Sequence, residues 1–310
     1  MAALTLLEAA KRGFGTILEQ AISETFARQA PILEFLPFKG ISGNSIKYSQ
    51  EETLPGVAFR GVNEAFVSSV GVLNPITESL TIVGGDIEID RFILETESPD
   101  ERATQTEMKM KAVSEDFQRV FFKGDQSTSP KEFNGLQTRL TGDQLVDNGN
   151  TSGGDALSLN NLDELIDAVE DAQFLAMNKA MARRLTAATR DTAVGGHITF
   201  EQDQFGRKAP FYADLRILII KTLDNKDTVL PFTEANPGGG SAASTSIYCL
   251  SFGPNMLTGI QNGGLSARDL GEQDTKPVLL TRVEWYAGIQ LRHKRAAARL
   301  RGIKDSAVIK

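Results

Sequence analysis

Residues 98–124, SPDERATQTEMKMKAVSEDFQRVFFKG, form the clearest helical pattern in the chain. Ser98 stands at the N-cap position, Pro99 at the first helical position, and Glu101 three residues after the serine, which is the capping-box spacing. Ala103, Thr106, Met110, Val113, Phe117, Val120 and Phe121 recur with the helical period and draw one apolar stripe. On another face Glu107, Lys111, Glu115 and Arg119 alternate in sign every fourth residue, so each can pair with the next. Gly124 suits the position just after the last turn. At about 1.5 Å per residue the helix would be roughly 37 Å long. A globular chain of this size has a radius of gyration of only about 20 Å. Such a helix is either a spine along which flatter pieces lie or a long helix in a rounded α/β domain, and periodicity fits both.

Working outward, Asp86–Asp90 (DIEID) alternates strictly and reads as a half-buried strand leading into the spine. Before it, residues 43–85 hold no helical pattern. A polar strand, NSIKYSQEET, turns near Leu54-Pro55-Gly56 and returns through VNEAFVSSVGVLNPITESLTIV. Some forty residues without a helix are long for a connection, and a two-stranded excursion is marginal unless it lies on something. It belongs either to a local sheet or to an arm laid across a neighbour. At the start, residues 4–29 read as an amphipathic helix, with Leu4, Leu7, Phe14, Ile17, Leu18, Ala21, Ile22 and Phe26 near one face and Pro31 as its limit. That face suits either the chain's own core or an adjacent subunit. Ile32–Phe38 reads as a short extended segment.

Downstream of the spine come a polar loop with a turn at Asn134-Gly135 and a Gly- and Asn-rich stretch at 142–154, the expected domain boundary. A second helix is predicted over Asn161–Ala172, with Leu162, Leu165, Ile166 and Val169 buried and Asp163 and Glu164 in its first turn. Phe174–Met177 reads as a buried strand, and Asn178 caps a third helix through Ala188. Leu215–Ile220 and Ile247–Phe252 read as strands, with a flexible loop at Pro237–Thr245. Val278–Tyr286 and Ala287–His293 read as a hairpin.

The 310 residues are 41% hydrophobic and 24% charged, ordinary for a folded protein. A single cysteine, Cys249, precludes an internal disulfide and any cysteine cluster for zinc or iron–sulfur. Glu8, Lys11 and Arg12 interrupt what would be the apolar part of a signal peptide, so none is expected. No apolar run is long enough to span a membrane. The net charge of −7 is uneven: Gln290–Lys310 carries seven Lys/Arg against one Asp, or +6, which leaves −13 on the remainder. An acidic body argues against tight, sequence-reading contact with nucleic acid, but it does not exclude a protein that surrounds nucleic acid without sticking to it. The basic tail fits inter-subunit ion pairs or contact with a nucleic-acid backbone.

Motifs for chemistry are scarce. There are two histidines, His197 and His293, the latter among Arg292, Lys294 and Arg295, a setting that opposes metal binding. No nucleophile elbow, Walker A loop, dinucleotide fingerprint, zincin helix or EF-hand loop is present. No catalytic residue, cofactor or metal is expected.

Four stretches, in this order, resemble the major capsid proteins of tailed bacteriophages with the Hong Kong 97-type fold. The first is the succession of N-terminal arm, long hairpin and capped spine. The second is the spine exit, FFKGDQSTSPKEFNGL, where Gly124, Asp125, Gly135 and Leu136 hold the family's Gly-Asp, polar loop, Gly-Leu pattern. The third is FLAMNKAMARRLTAATRD, in which Met177, Asn178, Leu185 and Asp191 match, with Arg190 where Lys is common. The fourth is the ending, IYCLSFGPNMLTGIQNGGLSARDL with VEWYAGIQLRHKRAAARLRGI. The insert around 224–245 is longer than the family pattern.

The resemblance implies an α+β fold of four parts: an N-terminal arm (1–42), an extended E-loop hairpin (43–85), a peripheral domain (86–149 and 278–310, spine 99–123) and an axial domain (150–277). It implies self-assembly as pentamers and hexamers into an icosahedral shell around double-stranded DNA, in a virion assembled in the host bacterial cytoplasm. Implied partners are further copies of the chain, a portal, a decoration protein and, with no long segment ahead of the arm, a separate scaffolding protein. Candidate assembly residues are Phe14, Ile17 and Phe26 on the arm, Phe59 and Arg60 on the hairpin, Arg268 near the Gly263-Gly264-Leu265 loop, and Arg299 and Arg301 in the basic tail. An encapsulin-type nanocompartment shell is the nearest alternative; a small-oligomer α/β enzyme is the alternative of another class.

Overall fold

The computed structural model describes residues 30–96, 101–190, 198–202, 208–220 and 229–309. The predicted helix over 4–29 and the Ser98–Pro99 cap lie outside them.

The spine, α3, runs Glu101–Lys123, about 35 Å at 1.5 Å per residue. It follows α1 (Pro31–Phe35), β1 (Phe38–Gly40), β2 (Ser45–Thr53), β3 (Val72–Ser79), β4 (Thr81–Asp90) and α2 (Arg91–Thr96). Its stripe is buried from Met110 to Phe121, as the period predicts, whereas Ala103 at the N-terminal end is exposed. Glu107 pairs with Lys111 at 2.6 Å as expected. Arg119 instead bonds Asp116 and Glu132, both at 2.8 Å, because the exit loop brings Glu132 alongside. Ile32–Phe35 is helical, not extended: Pro31 takes the first turn of α1, where a missing N–H costs nothing.

Two sheets flank the spine. In the first, the 14-residue strand β13 (Val278–Leu291) is central. β4 lines one edge; β11 (Leu257–Gln261) and β12 (Ser266–Glu272) share the other, and β1 runs parallel beyond β11. The expected hairpin at Tyr286/Ala287 is therefore absent. Val283, Trp285, Ala287, Ile289 and Leu291 continue one buried face with no turn residue to interrupt it.

The second sheet has the order β5-β14-β10-β6-β9-β8-β7, with β5 Leu145–Asp147, β6 Phe174–Asn178, β7 Ile198–Gln202, β8 Lys208–Tyr212, β9 Leu215–Ile220, β10 Ser244–Leu250 and β14 Ala297–Lys304. Both faces are covered, so its central strands read as continuous apolar runs. Ala176, Leu218, Ile220, Tyr248 and Leu250 face the spine core. Leu175, Met177, Ile217, Ile247, Cys249 and Leu300 face the core under α5 (Leu159–Asp167) and α6 (Lys179–Ala188). Asn178 caps α6 as predicted, its side-chain oxygen accepting the Met181 N–H at 2.7 Å. α5 stops short of Ala172: Asp171 has φ 50° and turns the chain into β6. Ser244 and Thr245, expected in a loop, begin β10 and are buried.

The expected division at 277 does not follow the sheets. β11 and β12 precede it yet pair with β13, and β14 follows it yet pairs with β10 and β5. Trp285 of the first sheet and Tyr248 of the second lie in one continuous core around the spine. At the spine exit Gly124 and Gly135 are required by closeness. A Cβ on Gly124 would lie 2.2 Å from the Phe133 carbonyl oxygen, and one on Gly135 would lie 2.4 Å from that of Val120.

Candidate assembly surfaces

The excursion between β1 and β4 is a two-stranded ladder, β2 against β3, paired from Ser45↔Ser79 to Thr53↔Val72. It ends at Leu80 and not at 85, because Thr81 starts the β4 ladder with β13. Its strands have no third neighbour among the described residues, so its placement depends on its base. There Glu78 accepts a double hydrogen bond from Arg139, which ends the short helix α4 (Leu136–Arg139); the Arg139 Nη2–Glu78 Oε2 distance is 2.7 Å. Both side chains are largely buried. Tyr48, itself buried, donates its hydroxyl to the Leu291 carbonyl at 3.0 Å. Burial, then the Glu78 carboxylate, pushes the Tyr48 phenol up to about 12. The clamp thus ties the excursion to the end of β13 and to the exit loop.

That loop is closed by Asp125, whose carboxylate accepts from the Ser127 N–H at 2.9 Å and the Thr128 hydroxyl at 2.8 Å. The Ser127 hydroxyl donates as well, at 2.6 Å, and this bond first, then those from the Thr128 hydroxyl and the Ser127 N–H, hold its carboxyl below the usual carboxylate range. The Gly-Asp…Gly-Leu pattern therefore has a physical role: it folds the loop so that α4 presents Arg139 to the hairpin.

Beyond the ladder, residues 54–71 carry no strand, and the turn expected at Leu54-Pro55-Gly56 only begins this long tip. Val57, Phe59, Val62, Phe66, Val67 and Val70 are all between 68% and 106% exposed. Arg60 stands over the Phe66 ring at 5.0 Å and donates to the Glu64 carbonyl at 3.0 Å. Phe59 and Arg60 are thus on one protruding, largely apolar tip. Phe14, Ile17 and Phe26 lie outside the described residues.

The arginines separate. Arg268, on β12, is 60% exposed and pairs with Glu284 across the strands. Arg301 pairs with Asp147 of β5, its Nη2 3.3 Å from the carboxylate. Arg299 is the correction: it is buried and points inside the chain. Its Nη2 lies 2.9 Å from Glu234, and its Nε donates to Ser246 at 2.9 Å. The Lys123 ammonium sits 3.2 Å from the other Glu234 oxygen, and Ser246 donates to Glu234 as well. A buried carboxylate needs such compensation, so this part of the basic tail fastens the end of the spine to the second sheet. No local sequence pattern marks Glu234 as its partner or announces the Tyr48–Glu78–Arg139 clamp. Among the described residues no group of three or more His, Cys, Asp and Glu side chains is placed to hold a metal, and no helix is long and apolar enough to cross a membrane.

Residues 15–159, which include the hairpin, spine and exit loop, match the model of a family described as Major capsid protein GP7. No curated protein sequence matches the chain. Among solved structures, the SrpI encapsulin of Synechococcus elongatus superposes with a TM-score of 0.62 at 16% identity, over 90% of this chain and 89% of that one. The capsid of an empty GTA particle gives 0.61 at 16% identity, over 89% and 90%. A chain of Mycobacterium phage Bobi gives 0.60 at 11% identity, over 90% and 91%. The fold is the α+β Hong Kong 97-type capsid fold, and the resemblance to tailed-phage major capsid proteins holds.

Proposed function

We propose that this chain is the major head protein of a tailed bacteriophage and assembles as pentamers and hexamers into an icosahedral shell around double-stranded DNA. The observation that carries this is the tip at 54–71, an exposed apolar surface that packs on no core among the described residues, held out by a clamped base. Exposed patches of this kind mark interaction sites. A neighbouring copy covers the tip, which makes the hairpin an E-loop. Such contacts join unlike patches, and they close into rings when the rotation between copies closes. The sheet-one body and spine form the peripheral domain and the second sheet the axial domain. The acidic body lets packaged DNA lie near without adhering. A portal, a separate scaffolding protein and a decoration protein complete the head, which forms in the host cytoplasm and ends as the virion shell. On this reading function resides in interfaces and not in a catalytic site.

The likeness to the SrpI encapsulin favours a second reading, a nanocompartment shell around a protein cargo. Negative-stain electron microscopy and light scattering on the chain, expressed alone and then with its neighbouring genes, test both. Closed particles tens of nanometres across are expected, with nucleic acid inside when the packaging genes are present. Closed particles filled with a protein cargo establish the second reading. A species a few nanometres across in both preparations overturns the shell.

A further inference from the structure

Two helices on one face of the second sheet carry opposite charge. α6 buries Ala180, Met181, Ala182 and Leu185 and turns Lys179, Arg183 and Arg184 outward, with Arg190 just beyond its end. These cations and Pro210 line a groove of about 610 Å³ whose one acidic residue, Asp305, already pairs with Arg184 at 2.9 Å. Arg183 and Arg190 have no ionic partner among the described residues. α5 buries Leu162 and Leu165 and exposes Asp163, Glu164 and Asp167, followed by Glu170 and Asp171. Asp163 accepts the Tyr212 hydroxyl at 2.8 Å, and Glu170 lies 3.6 Å from His293. The carboxylates of Glu164, Asp167 and Asp171 have no cationic partner among the described residues.

The two ridges do not neutralise each other. α5 packs on β14, β5 and β10, α6 on β6 and β9, and no ion pair joins the helices among the described residues. Like charges along one ridge repel, and each ridge is relieved by a surface of opposite sign. We propose that the basic groove of α6 receives the acidic ridge of α5 from a second copy of this chain. This inference rests on the shell reading and names one contact that would join axial domains. The two patches differ, so the contact is heterologous and repeats from copy to copy. Single exposed pairs are weak; several facing one another set register and partner choice.

The test begins with wild-type shells; if none form, the shell reading fails and not this contact. With shells in hand, Arg183→Glu/Arg190→Glu and Glu164→Lys/Asp167→Lys are each expected to lower shell yield by about tenfold or more, and the quadruple charge swap to recover most of it. All side chains concerned are exposed, so circular dichroism and subunit melts are expected to stay unchanged. Three results overturn the proposal: wild-type yield in either double variant, a folded quadruple variant no better than the doubles, or a basic-groove variant that alters only the co-purified nucleic acid. The last assigns the groove to nucleic acid.

Discussion

The hairpin tip and the joint beneath the spine place the same kinds of side chain in opposite surroundings. At the joint Phe38, Phe117 and Trp285 are buried, with ring centroids 4.8 Å apart for Phe117–Trp285 and 5.4 Å for Phe38–Trp285. At the tip Phe59, Phe66 and four valines stand in solvent. Each large apolar side chain left in water forgoes roughly 1.5–3 kcal/mol of burial. The joint recovers that within the subunit and the tip does not. One chain thus carries two apolar sets, one that makes the fold and one that stands in solvent and that, on the proposed function, a neighbouring copy covers. Substitutions in the first set are expected to unfold the subunit, and those in the second to leave it folded and unassembled.

The largest expected effect is at the joint. Trp285→Ala removes both ring contacts and the indole N–H bond to Gln261, 3.1 Å in length. A loss of about 3–5 kcal/mol in subunit stability is expected, the usual range for an aromatic truncated in a packed core. Denaturant unfolding of dissociated subunits checks it, with a lowered midpoint and an unchanged slope. A loss under about 1 kcal/mol would break the comparison, because a residue this enclosed would then contribute no more than a surface one.

The tip sharpens it. Phe59→Asp is expected to change subunit stability by less than about 0.5 kcal/mol, as for surface sites. Each tip contact with a neighbour is expected to weaken by about 2 kcal/mol, the burial value of one phenylalanine, or roughly thirtyfold in affinity. Sedimentation of assembly reactions beside subunit melts separates the two. Normal shells from Phe59→Asp would show that the tip is not covered on assembly.

What could be read in the sequence follows the range of the interactions. The spine stripe from Met110 to Phe121, the β6 strand and the Asn178 cap are local, and they stand where the period and capping chemistry place them. The long strand β13 is one element because β4, β11 and β12 pair along its length, which no local pattern states. Arg299 looked like surface charge because Glu234 is 65 residues away. Arg139 and Glu78 are 61 apart, and Glu78 sits in a strand whose alternation makes it one more polar residue. The turn near Pro55 has correct turn chemistry, yet the tip continues to residue 71, its apolar side chains exposed and packed on no core among the described residues.

Between tip and joint lies the clamp, and it gives the smallest and most specific prediction. Tyr48 is buried at the hairpin base, donates to the Leu291 carbonyl and stands beside Glu78. Losing its proton would remove the donor and set a phenolate against a carboxylate, both costs that disappear when the hairpin lifts. Its folded-state value, about 12, is raised above the ordinary phenol value, so the contribution is full below about pH 10. It is lost as the pH rises toward 12, since folding then requires holding a proton that the free chain releases. Phenolate absorbance of the wild type minus that of Tyr48→Phe is expected to show one tyrosine titrating at about 12. The Tyr48→Phe hairpin is expected to lose this alkaline sensitivity and keep the Arg139–Glu78 pair. A midpoint at the ordinary value of about 10 would mean that the hairpin base is open to water. Tip and joint would then be joined by a free hinge and not by a clamp.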